Sequence, residues 1–233
     1  MLNFLKPRLL LGLLSVALAV SGCKLFGGNE PAPEPEEHYE PGFGPSQERP
    51  VGTAFTWPAG ITLIGEPADD NLDCVMEADQ HRRNLGNGGM VSLCLNLYNS
   101  TSQPINVTLP PGLMWIAKSL KTQNGIIVNR ISFEVPPGQR FFRLHTYCAN
   151  GGTRSPSGGQ TYEAQPLVTQ HPGLQELIGQ LETRKINFED YGGERLSTVA
   201  AYSGPVAGAV TKVAFNEPIS EQTRRELAAL PLR

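Results

Sequence analysis

Val91-Ser92-Leu93-Cys94-Leu95-Asn96-Leu97 places Val91, Leu93, Leu95 and Leu97 on one face and shorter or polar side chains on the other. Strict alternation of this kind is the mark of a strand with one buried face. Neighbouring runs repeat it. Ile105-Asn106-Val107-Thr108-Leu109 alternates in the same way. Ile127, Ile131, Phe133 and Val135 share a face that Asn129 interrupts, and Phe142, Leu144, Thr146 and Cys148 share the next. Turn signals separate the runs at Asn99-Ser100, Pro110-Pro111-Gly112, Asn124-Gly125 and Pro136-Pro137-Gly138, the Asn-Gly pair being the strongest hairpin signal. Several short strands at this spacing predict an antiparallel β-sandwich over residues 51–165.

Toward the C-terminus the period changes. Leu174, Leu177, Ile178 and Leu181 follow i, i+3, i+4, i+7, which predicts an amphipathic helix ending near Lys185. Leu196 to Tyr202 suits a second short helix, stopped by Gly204-Pro205. Ser220 caps a last one, with Leu227 and Leu230 on its apolar side and Pro231 at its end. About sixty residues with three short helices make a thin core. Residues 166–233 are therefore expected as a helical extension packed on the sandwich, making the chain mainly β with an α+β arrangement.

In the other direction the composition shifts twice. Residues 23–50 interleave Pro31, Pro33, Pro35, Pro41, Pro45 and Pro50 with Glu30, Glu34, Glu36, Glu37, Glu40 and Glu48. Prolines favour polyproline II and like charges extend the segment, so a tether is expected here. Before it, Met1 to Arg8 carries two positive charges and no acid, and Leu9 to Val20 is a short apolar run, well under the roughly 20 residues that span a bilayer. Val20-Ser21-Gly22-Cys23 closes that run and resembles the lipobox of bacterial lipoproteins. The resemblance implies a signal peptide over 1–22, cleavage after Gly22 and a diacylglycerol on the Cys23 thiol. It implies a membrane-anchored protein of the cell envelope. Lys24 stands where an Asp would resemble an inner-membrane retention signal, so the outer membrane is the expected destination.

The 233-residue chain carries a formal charge of −3, of which the signal contributes +2, leaving the mature chain near −5. A mildly acidic chain has no electrostatic reason to bind nucleic acid. With Cys23 committed to lipid, Cys74, Cys94 and Cys148 remain, an odd number in an oxidising compartment. One disulfide and one free thiol is the simplest account, with three pairings open. The order Cys94, Trp115, Cys148 is similar to that of immunoglobulin domains, although Thr146 stands where their tyrosine corner would be and Cys94 faces away from its leucines. Tyr147-Cys148 followed by Thr198-Val199-Ala200-Ala201 resembles the paired motifs of bacterial surface thioester domains. Val199 replaces the glutamine, so no internal thioester can form.

Chemistry-bearing patterns are thin. His38, His81, His145 and His171 are scattered, with no HExxH pair. Asp69-Asp70-Asn71-Leu72-Asp73 opens like a calcium loop but has Cys74 where glycine is required and Gln80 where the bidentate glutamate belongs. His145 and Cys148, three apart on a strand, point to opposite faces and do not meet. The loop from Thr153 to Gly159 carries neither a nucleophile elbow nor a phosphate loop. As a loop on a rigid scaffold it offers Arg154, with Tyr162 beyond it, as binding residues. No metal or cofactor is expected. The sequence points to a non-enzymatic lipoprotein whose body binds an envelope or extracellular protein or glycan. The alternative is an envelope hydrolase or carbohydrate-active protein whose carboxylates, Glu77, Asp79 and Glu134 among them, converge only in the fold.

Overall fold

A computed structural model describes residues 38–69, 71–151 and 159–233. Cys23, Asp70, Arg154 and the tether up to Glu37 lie outside the described residues. Strand exceeds helix, 28% against 24%, and the chain is mainly β in an α+β arrangement. Residues 38–233 form one compact unit, in which β1 (Thr53–Ala54), β2 (Ile61–Leu63), α1 (Leu72–Gln80), β3 (Asn84–Gly86) and β4 (Val91–Asn99) come first. They are followed by β5 (Ile105–Leu109), β6 (Leu113–Trp115), β7 (Gly125–Ile126), β8 (Ile131–Val135), β9 (Gly138–Cys148) and β10 (Leu167–Val168). The helices α2 (Pro172–Leu181), α3 (Ser197–Ala200), α4 (Ser203–Ala214) and α5 (Glu221–Ala228) come last, with a 3-10 turn at Glu189–Tyr191 between the first two.

The alternating runs become the central pair. β4 and β9 align antiparallel over nine residues, from Val91 opposite Thr146 to Asn99 opposite Gly138. Around them the larger sheet runs β1-β10-β6-β7-β9-β4-β2, while β5 and β8 form a separate pair. One pairing departs from the antiparallel expectation, since β3 lies parallel to β9, with Asn84 opposite Arg143. Side-chain parity splits the core into two layers. Leu93, Leu95, Leu97, Trp115 and Leu144 pack with Val107, Leu109, Ile131 and Val135 of the β5–β8 pair. Met114, Ile126 and Tyr147, each adjacent in sequence to a residue of that layer, face Leu174, Leu177, Val206, Val210 and Leu227 of the helices. The helices thus cover the opposite face of the sheet, as their amphipathic spacing requires.

Three local expectations are corrected, and one stretch gains a role. Asn124-Gly125 is not a hairpin turn: Gly125 begins β7, and a Cβ there would stand 2.2 Å from Thr146 Oγ1. Gly204-Pro205 opens a helix instead of stopping one. Pro205 sits in the first turn of α4, where backbone N–H groups lack intrahelical acceptors, and Val206, Ala209, Val210, Val213 and Ala214 form its buried stripe. The acidic stretch at Asp69–Asp73 leads into α1, capped by Asn71, whose side chain accepts from Cys74 N at 3.0 Å. Finally, residues 38–50 belong to the body and not to a free tether. Phe43 is fully buried in the helical layer, Gly44 and Ala149 share a backbone hydrogen bond of 3.2 Å, and the Tyr39 ring meets Phe215 edge-on. No helix among the described residues is long and apolar enough to cross a membrane.

Candidate functional site

The end of β9 runs into Ala149, Asn150 and Gly151 beside α4, and the two do not close against each other. Small side chains leave the gap. Gly89, Ala149, Gly151, Ala207 and Ala214 line it, and a Cβ on Gly151 would stand 2.8 Å from the Phe215 ring. The result is a cleft of about 340 Å³, within the size range of small-molecule sites. Met90 and Phe215 add apolar wall, Gln123, Thr211 and Asn150 add polar groups, and among the described residues no charged side chain lines it.

Four polar groups of the cleft sort into satisfied and unsatisfied. The Cys148 thiol donates to Gln123 Oε1 at 2.7 Å, and Asn150 Oδ1 accepts from Asn124 N at 2.7 Å. Asn150 Nδ2 and the Tyr147 hydroxyl, both donors on residues more than nine-tenths buried, have no hydrogen-bond partner among the described residues, and neither atom is exposed to the cleft. A buried donor left unpaired costs about 1–3 kcal/mol. Burial pushes the Cys148 thiol up to about 12 and raises Tyr147 as well, with the charge of Glu189 adding to the latter. At neutral pH Cys148 is therefore a thiol and no nucleophile. A second, more open cleft near the start of α2 is lined by Glu40, Glu176 and Glu217, but Glu176 pairs with Arg224 and Glu217 with Lys212.

On the helix-facing side of β9, a row of polar side chains crosses three strands. His145 lies opposite Ser92 on β4, with Nδ1 3.2 Å from Ser92 Oγ, and its Nε2 lies 3.1 Å from Asn84 Oδ1 on β3. Asn84 Nδ2 donates to Asp79 Oδ1 at 3.0 Å. The carboxylate fixes the order: Asn84 must turn its oxygen to His145, so Nε2 carries the proton and Nδ1 accepts from Ser92. This has the connectivity of a nucleophile, a base and an orienting group. Its chemistry is weak, because burial and the charges of Arg143 and Arg195 lower His145 to about 3. An imidazole that acidic is a poor acceptor for a serine proton at neutral pH. The row ties β3 and β4 to β9 as a neutral hydrogen-bonded strut.

The residues singled out from sequence are placed as follows. Cys74 on α1 bonds to Cys94 on β4 with Cα atoms 6.1 Å apart, within the ordinary span of a disulfide. Cys148 is the free cysteine among the described residues, so the immunoglobulin-type Cys94–Cys148 bridge does not form. Tyr162 is corrected from a loop binding residue to a core one. It is fully buried against the strand layer, and its hydroxyl donates to the Gln123 carbonyl at 3.2 Å. Arg154 falls outside the described residues. Glu77 pairs with Arg83 at 2.6 Å, Asp79 serves Asn84, and Glu134 lies exposed on β8, so these carboxylates do not converge. Among the described residues no group of three or more His, Cys, Asp or Glu side chains could hold a metal ion. The cleft escaped sequence reading because it is made by alanines and glycines, whose small size matters only once α4 is laid against β9.

Fold and cleft together define a mainly β, α+β domain with a crevice between sheet and helix that the described residues line without a charged side chain. Comparison of the chain with protein-family models, curated proteins and solved structures returns no significant match.

Proposed function

We propose that the protein is a lipid-anchored lipoprotein of the bacterial cell envelope and a binding module: the body binds a ligand or partner and performs no catalysis. The binding role is supported by the cleft, a preformed crevice of about 340 Å³ walled mainly by small and apolar side chains. The location is supported by the Val20-Ser21-Gly22-Cys23 motif behind a basic start and an apolar run. A Cys74–Cys94 disulfide agrees with it, since such bonds persist in oxidising compartments. The anchor is tested by fractionating cells that express Cys23→Ser: the wild-type chain is expected with the membranes and the variant in the soluble fraction. Membrane retention of the variant sinks the anchor. A hydrolase reading draws on the Ser92–His145–Asn84 row alone. It would require ester or amide turnover that disappears in Ser92→Ala.

A further inference from the structure

We infer that residues 38–50 are a strap that sets the spacing of the cleft, and that undocking the strap opens the crevice between β9 and α4. The two walls come from separate elements: Ala149, Asn150 and Gly151 follow β9, while Ala214 and Phe215 close α4. The strap, itself without helix or strand, grips both. On the β9 side Gly44 N donates to the Ala149 carbonyl at 3.2 Å, and Gly151 N donates to the Gly44 carbonyl at 3.1 Å. On the α4 side Asn216 Nδ2 donates to the His38 carbonyl at 2.9 Å. The Tyr39 ring backs Phe215, whose own ring lies against Gly151. Gly44 joins the two walls. Its φ is +50°, and a Cβ there would stand 2.5 Å from the Ala214 carbonyl oxygen, so glycine alone passes between Ala214 and the end of β9. Phe43 holds the segment down, 1% exposed, with its ring centroid 4.5 Å from that of His171 at the start of α2. A segment held by a few bonds and one buried ring opens at lower free energy than the core strands. Its release frees the end of β9 from the end of α4 and lets solvent reach the Cys148 thiol that lines the cleft. The consequence for function rests on the cleft being the binding site proposed above. No ligand enters the test, so a cleft that opens but binds nothing contradicts that role and leaves the strap standing.

The test uses the full-length chain carrying Cys23→Ser, in which the Cys74–Cys94 disulfide leaves Cys148 as the free thiol. Labelling by N-ethylmaleimide at pH 8 reads the cleft, and hydrogen exchange of the Gly151 amide reads the strap. Gly44→Ala puts a methyl group against the Ala214 carbonyl, and Phe43→Ala removes the buried ring. Both are expected to release the Gly151 amide and to label Cys148 at least about tenfold faster than the parent, as a strap weakened by about 1.4 kcal/mol would allow. Below the unfolding transition these rates should rise little with urea, the mark of a local opening that exposes little surface. Gly179→Ala, whose added Cβ meets nothing within 4 Å, and Ser220→Ala, which weakens the cap of α5, should label only through global unfolding, with its steep urea dependence. A Gly151 amide that stays protected in both strap variants would show that the strap is not held through Gly44 and Phe43. A released Gly151 amide with Cys148 labelling at the parent rate, or only along the global unfolding curve, would show that the walls keep their spacing without it. Either result overturns the inference.

Discussion

Two buried ionisable groups set opposite slopes on the stability of this protein. Glu189 has a buried carboxylate whose Oε2 accepts from Gly86 N at 2.8 Å, and burial raises it from 4.5 to about 8. His145 is lowered from 6.5 to about 3. From pH 8 down to 6.5 the folded chain holds the Glu189 proton that the unfolded chain lacks, so stability should rise by about 2 kcal/mol. From 6.5 to 4.5 the unfolded chain gains a proton on His145, and the two effects offset. His171, also lowered by burial, tilts this stretch downward. Below 4.5 only the histidine imbalance remains, and stability should fall by about 2 kcal/mol toward pH 3. Urea midpoints across this range test the shape: Glu189→Gln should flatten the alkaline limb and His145→Gln the acid one. Cys148 makes a simpler prediction. With its thiol held near 12, alkylation in the Cys23→Ser chain should be slow when folded and complete at one site when unfolded without reductant.

At the scale of elements, the alternating runs were legible because each strand buries one face, and period two survives in any such strand. β4, β5, β8 and β9 all follow from it. The misreadings share a cause, which is that glycine and proline report local conformation while their reason can be tertiary. Gly125 is glycine because Thr146 of β9 crosses it, and not because a turn needs it. Gly125→Ala should therefore cost about 1–3 kcal/mol, the usual cost of overpacking, measurable as a lowered urea midpoint. Gly204-Pro205 obscured α4, although Val206, Ala209, Val210 and Val213 keep the helical period just beyond it. Where the local signal and its cause coincide, the reading held. Ser220 caps α5, its Oγ accepting from Thr223 N at 3.1 Å, and Ser220→Ala should cost about 1 kcal/mol.

For the whole molecule, sequence indicated strands first and helices after, but not that β9 would serve both layers. That depends on which residues of short strands such as β6 and β7 face which way, and runs of two or three residues carry no period. A different limit hid α1, which buries only Cys74 and Ala78 and so shows no broad apolar stripe, and whose pairing of Cys74 with Cys94 closes a loop across a separation of 20 residues. Its loss in Cys74→Ala should cost about 3 kcal/mol by loop-closure entropy, read from denaturation of parent and variant at one pH. The body's start at His38 was obscured by composition: Tyr39 and Phe43 sit among prolines and glutamates that read as tether, yet Tyr39 meets Phe215 at the end of α4 and Phe43 meets His171 at the start of α2. The proposal of a lipid-anchored envelope binding protein is tested most directly at the other end of that tether. Mass spectrometry of the N-terminal peptide from the membrane-bound protein should find Cys23 as the first residue, carrying a diacylglyceryl group. An unmodified Cys23, or a membrane-bound chain that still begins at Met1, would contradict it.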